Sequence, residues 1–198
     1  MKKLLIAIFI VLATVNISYS AVSWSGNTCT ITGDATVAQI NDCLTGASNG
    51  IVAQGKTGEI TVVLPADTET WSSTLVINMT NAAYINVTKL TIQGAGTIPT
   101  GSTKGSAASG GTTIAVTATS AVTVTGSTSK KFRITNIHWT GGVQNTGYFI
   151  RFNGTSIVSS GGGFRVDHNT FTDFVSRVRK VTTQGRIYGV IDHNYVYG

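Results

Sequence analysis

A carboxylate, an imidazole and an amide meet twice near the end of this chain. Asp167-His168-Asn169 lies inside Phe164-Arg165-Val166-Asp167-His168-Asn169-Thr170-Phe171. Asp192-His193-Asn194 lies inside Gly189-Val190-Ile191-Asp192-His193-Asn194-Tyr195-Val196, 25 residues further on. Carboxylate oxygens ligate hard cations, and imidazoles carry protons near neutral pH. If Val166 and Ile191 point inward on strands, Asp167 and Asp192 point outward. Two such strands stacked ~4.8 Å apart would superpose like charges, which is unfavourable without a cation between them. Asp167 and Asp192 are therefore the candidate metal ligands, with calcium as the expected ion.

That ion would suit eliminative cleavage of an acidic sugar polymer. Removing the proton α to a uronate carboxylate needs that carboxylate neutralised, and it needs a base near the ring. Arg179, Lys180 and Arg186, between the two triplets, are the candidate catalytic cations. Arginine is a poor base at its ordinary pKa, so such a role demands special surroundings. Arg165, Arg177, His168 and His193 are the candidate substrate-binding residues. Hydrolysis ranks lower: two carboxyls about 5–5.5 Å apart would suit a retaining mechanism, but no neighbouring residue marks either as a general acid. A purely structural reading stands beside these. Arg165 and Asp167 share a strand face and can pair, the histidines can be structural, and Asn169 and Asn194 can form a turn ladder, since Asn tolerates left-handed backbone.

The elements that position these residues repeat. Phe132-Arg133-Ile134-Thr135-Asn136-Ile137-His138-Trp139 has the same apolar outline, 32 residues before the segment at Phe164. A period of this size, carried by β-forming residues, predicts stacked coils that bury together what none buries alone. Ile60–Leu64, Thr70–Ile77, Leu90–Ile92 and Thr113–Thr125 are further candidate strands. In the last, Ile114, Val116, Ala118, Val122 and Val124 alternate with threonines, with a bend expected near Ser120. Residues 94–112 read as a long Gly/Ser/Thr loop, and Gly161-Gly162-Gly163 as a joint. One helix is predicted from Asp34 to Leu44, with Thr36 and Gln39 as a capping box and Gly46 as its stop.

Residues 1–20 read as a signal peptide: Lys2 and Lys3, an apolar run from Leu4 to Val15, then small residues before Ala21. No other stretch approaches the ~20 apolar residues of a membrane span. Export predicts that Cys29 and Cys43 form a disulfide. Residues 21–50 are then an N-terminal cap, and 51–198 the coils. The last repeat runs to Gly198 without a closing helix, which predicts a truncated end, continued by further sequence or covered by a partner chain.

Charge is uneven. Residues 21–129 carry three basic residues (Lys56, Lys89, Lys104) against five acids. From 130 onward nine basic residues (Lys130, Lys131, Arg133, Arg151, Arg165, Arg177, Arg179, Lys180, Arg186) face three acids (Asp167, Asp173, Asp192). A basic half attracts a polyanion, and outside the cell an acidic polysaccharide is favoured over nucleic acid. Trp139, Tyr148, Phe149, Tyr188, Tyr195 and Tyr197 could stack on sugar rings.

Val63-Leu64-Pro65-Ala66-Asp67-Thr68-Glu69-Thr70-Trp71, Leu90-Thr91-Ile92-Gln93-Gly94-Ala95-Gly96 and the two Asp-His-Asn segments resemble the pectate-lyase-like superfamily. The resemblance implies an all-β chain, a right-handed parallel β-helix, secreted or held at the cell surface, that binds or cuts acidic polysaccharide. Pectate lyases carry a hydrophobic-Trp-Ile-Asp-His segment; Gly189-Val190-Ile191-Asp192-His193 and Phe164-Arg165-Val166-Asp167-His168 look similar to it, but both lack the Trp. The Arg-x-Pro-x-x-Arg segment tied to lyase catalysis is missing, as are the paired aspartates and Gly-His-Gly of polygalacturonase-like enzymes. The expected function is recognition of an acidic polysaccharide, with cleavage by β-elimination as its enzymatic form. The alternatives are a non-catalytic adhesive module and the N-terminal part of a larger polysaccharide-active enzyme.

Overall fold

A computed structural model describes residues 22–96, 111–143, 147–154, 162–174 and 178–197. The expected signal peptide, Arg177 and most of the expected 94–112 loop lie outside the described residues.

The described chain begins with a hairpin, β1 (Val22–Ser25) and β2 (Thr28–Ile31), paired antiparallel. Helix α1 (Val37–Thr45) follows. Its expected capping box is present: the Gln39 N–H donates to Thr36 Oγ1 at 3.2 Å, and Gln39 Oε1 accepts from the Thr36 N–H at 3.1 Å. Ile40, Cys43 and Leu44 are buried, which matches the expected apolar stripe. Cys29 on β2 and Cys43 on α1 form the expected disulfide. Trp71 reaches this segment too, its Nε1–H donating to Ala35 O at 2.8 Å.

Strands then recur in threes. β3 (Gly58–Val63), β4 (Thr68–Trp71) and β5 (Leu75–Asn78) form the first set. β6 (Val87–Gln93), β7 (Thr112–Val116) and β8 (Ser120–Thr125) form the second. β9 (Lys131–Thr135), β10 (Ile137–Gly141) and β11 (Tyr148–Asn153) form the third. β12 (Gly163–Asp167), β13 (Thr170–Phe174) and β14 (Arg179–Gln184) form the fourth, and β15 (Gly189–Asp192) with β16 (Tyr195–Val196) closes the series. Each set contributes one strand to each of three sheets. The first sheet runs β1-β2-β3-β6-β9-β12-β15, the second β16-β13-β10-β7-β4, and the third β14-β11-β8-β5. Every pairing but β1–β2 is parallel. The chain is therefore all-β with one helix, and it visits the three sheets in the same cyclic order each time.

Register explains the burial. Val62, Ile92, Ile134, Val166 and Ile191 superpose in the first sheet, as do Ile60, Leu90, Phe132 and Phe164. The second sheet superposes Ile114, Trp139 and Phe171, and the third superposes Leu75, Val122, Ile150 and Val181. Each fully buried aliphatic or aromatic side chain is worth roughly 1.5–3 kcal/mol, so the inward positions dominate stability. Aromatic contacts bridge the sheets: Trp71 meets Trp139 edge-on at 5.8 Å, and Phe152 stacks on Phe164 at 4.1 Å.

Two expected strands divide at corners. Thr70–Ile77 is β4 and β5, broken at Ser72–Thr74, and Thr113–Thr125 is β7 and β8, with the bend expected near Ser120 falling at residues 117–119. Gly163 belongs to β12 rather than to a joint.

Candidate functional site

The two Asp-His-Asn triplets occupy the corner between the first and second sheets, at β12–β13 and β15–β16. Asp167 pairs in register with Asp192, as expected from the repeat. His168 and His193 adopt left-handed backbone, φ 56° and 51°, and so does Asn136 one set earlier, φ 59°. The left-handed residue is thus the histidine, not the asparagine that followed from Asn's turn preference. Asn169 and Asn194 instead build the expected amide ladder. Asn194 Oδ1 accepts from the Asn169 backbone N–H at 2.9 Å and from Asn169 Nδ2 at 3.1 Å. Asn169 Oδ1 accepts from the Ile137 N–H at 3.2 Å and Trp139 Nε1 at 3.3 Å, while its amide donates to Ile134 O at 3.1 Å. Asn169 is fully buried, so this satisfaction is obligatory.

The carboxylates are held by guanidinium groups. Arg133 donates to both oxygens of Asp167, through Nε at 2.7 Å and through a second, short contact. Arg165 Nε lies 3.4 Å from Asp167 Oδ2, and its Nη2 lies 2.8 Å from Asp192 Oδ2. Each histidine Nδ1 meets its own aspartate, at 2.9 Å for His168 and 3.0 Å for His193. Arg133, Arg165 and the two acids thus alternate along the stack, so the charge of each carboxylate is already met. Asp167 is 0% exposed; burial pushes its carboxyl up, but hydrogen bonds from Arg133 and His168 and the charges of Arg133 and Arg165 outweigh it and hold the group below the usual range. Asp192 is also held low, burial being opposed by His193 and Arg165.

This donor set does not fit a shared calcium. Calcium takes six to eight oxygen ligands, whereas here arginine hydrogens face the oxygens of Asp167 and Asp192. A different acidic group, Asp34, Asp67 and Glu69, brings three ligand atoms within 4.8 Å of one another.

Over the outer face of the first sheet, beside this ladder, lies a groove of about 500 Å³. Its cations are Lys89, Lys131, Arg133 and Arg165, and its apolar wall includes Phe164, Tyr188 and Val190. Gly189 is required here: a Cβ would sit 2.2 Å from the Phe164 ring. Lys89 also pairs with Glu59 at 3.1 Å.

Of the expected substrate-binding residues, Arg165 lines the groove, and His168 and His193 stand at its neighbouring corner. The expected catalytic cations are elsewhere. Arg179 and Lys180 begin β14, at the corner between the second and third sheets, and Lys180 Nζ sits over the Phe174 ring at 3.2 Å. Arg186 lies in the next corner, before β15, and does not line the groove. The fold therefore separates these three cations from the Asp-His-Asn corner. Among the aromatics, Trp139 and Phe149 are core residues, and Tyr188 is the one of the expected six in the groove.

Lys89, Lys131 and Arg133 went unassigned in the sequence. Their signal is alternation: Lys131 and Arg133 flank the inward Phe132, as Arg165 follows the inward Phe164. No family model matches this chain, and neither the curated proteins nor the solved structures contain a match.

Proposed function

We propose that this chain is an exported right-handed parallel β-helix that binds an acidic polysaccharide along the groove over its first sheet. The cyclic strand order and in-register apolar ladders support the helix reading. α1, the β1–β2 hairpin and the disulfide support an N-terminal cap, since they sit at the β3 end of the first sheet. The disulfide also accords with export, and among the described residues no helix is long and apolar enough to cross a membrane.

One observation carries the binding reading: four cations and an exposed tyrosine share a single groove. Cations on neighbouring strands match a polymer with repeated carboxylates, and an aromatic face suits a sugar ring. Binding without cleavage is favoured over elimination by the dispersal of Arg179, Lys180 and Arg186 to other corners.

The test is retention on polygalacturonate or alginate, alongside absorbance from unsaturated chain ends. Binding that weakens with salt and falls at least tenfold in Lys131→Glu and Tyr188→Ala, with no new absorbance, supports the reading. Equal binding by both variants overturns it. Steady absorbance growth restores the lyase.

A further inference from the structure

Only three imidazoles occur in the sequence, and two of them stand side by side at the surface. His138 is buried on the second sheet, whereas the rings of His168 and His193 lie parallel on the outside of the corner, their centroids 5.1 Å apart. That exposure belongs to the corner itself. His168 has a residue of the same column on each side, Asn136 and His193, and its side chain is still 46% exposed.

The ring nitrogens are already sorted. Both aspartates are held below the usual carboxyl range, and an ionised carboxylate only accepts. Each Nδ1 that meets one therefore carries the proton. The neutral ring then bears its lone pair on Nε2, and among the described residues neither Nε2 has a hydrogen-bond partner. A metal-bound histidine commonly donates its other ring N–H to a carboxylate, which fixes the ring and raises its basicity. Both rings have this support, and Arg133 and Arg165 hold the two carboxylates in turn. The carboxylate oxygens are committed; the outer imidazole nitrogens are not.

We propose that His168 and His193 form a site for one divalent transition-metal ion, bound through their two Nε2 atoms and supported from behind by Asp167 and Asp192. Imidazole suits zinc, copper and nickel, whereas calcium and magnesium take oxygen ligands. Two bonds of about 2.0–2.1 Å span a little less than the 5.1 Å between ring centroids, so the ion draws the exposed rings together. Water fills its remaining positions. The general order of divalent affinities makes copper(II) the tighter occupant and zinc the weaker. The site is separate from the groove, whose lining includes neither histidine.

The probe is the metal alone, zinc chloride and then copper(II) chloride, titrated calorimetrically into the protein in a non-coordinating buffer. One ion should bind per chain, copper more tightly than zinc, and excess calcium should not displace it. His168→Asn and His193→Asn should each weaken zinc binding at least tenfold, with circular dichroism confirming the fold; Asn tolerates the left-handed corner but lacks the imidazole. His138→Gln should leave zinc binding unchanged. Imidazole nitrogen NMR should show zinc shifting Nε2 of both rings while Nδ1 stays protonated. No saturable binding, or binding indifferent to both Asn variants, overturns the proposal. Displacement by calcium also overturns it, and assigns the ion to the oxygens of Asp34, Asp67 and Glu69. So does zinc that binds only by joining two molecules, seen as a dimer in sedimentation.

Discussion

His168 and His193 lie ring over ring, 5.1 Å between centroids and 6° from parallel, each tied through Nδ1 to the aspartate before it. Left-handed backbone makes this stack possible, and Asn136 continues the same corner one set earlier. His168→Asn should therefore leave the melting temperature close to that of the parent. His168→Val should cost about 1–2 kcal/mol, because a β-branched residue resists that conformation. Thermal denaturation of the two variants checks this.

Arg133→Met should destabilise the fold by roughly 2–3 kcal/mol at pH 7, near the lower end for breaking a buried pair because Arg165 remains beside Asp167. The sign with pH follows from the lowered carboxyl of Asp167. Its contribution is complete above the unfolded value of about 3.9 and is lost as pH falls through the lower folded value. Urea titrations should show the gap between parent and variant narrowing at the acid end.

His138 is buried on the second sheet, its ring nitrogens hydrogen-bonded to the hydroxyls of Thr172 at 2.6 Å and Thr113 at 3.3 Å. Burial holds its pKa below the ordinary value, against the charge of Asp173. Stability from the neutral ring is complete above about pH 6.5 and falls as pH drops from there toward the lower folded value. His138→Gln should flatten this part of the melting-temperature profile.

Asn169→Ala should cost more than about 3 kcal/mol. It strands the buried N–H of Ile137, the Trp139 indole and the Ile134 carbonyl, each worth about 1–3 kcal/mol when unpaired. Asn194→Ala, at a half-buried position where water can replace the lost partner, should cost clearly less. Chemical denaturation of both variants decides the order.

Reducing Cys29–Cys43, separated by 14 residues, should cost about 3 kcal/mol on the chain-entropy account. A melt with and without reductant measures it.

Much of the strand pattern was legible because inward positions follow a strict alternation, as in Ile114, Val116, Val122 and Val124, and because the Asp-His-Asn repeat fixes register at Asp167 and Asp192. The helix was legible from Thr36 and Gln39. The corners were less so: nothing local in Thr70–Ile77 marks the break after Trp71. The site was legible only where the repeat pointed. Two aspartates in register suggested a missing cation, yet the cation was already covalently present as Arg133, supplied 34 residues earlier. Sequence spacing shows which residues superpose, but not which guanidinium swings across to the next strand. The dispersal of Arg179, Lys180 and Arg186 likewise depends on where the chain turns between sheets.

Cys29–Cys43 ties β2 to α1, and β2 pairs with β3 in the first sheet. Local opening is held back most where a cross-link anchors the strands concerned. Amide hydrogens of β2 and β3 should therefore exchange with deuterium more slowly in the oxidised protein than in the reduced one, while those of β9 and β12, two and three strands further along the same sheet, should change little.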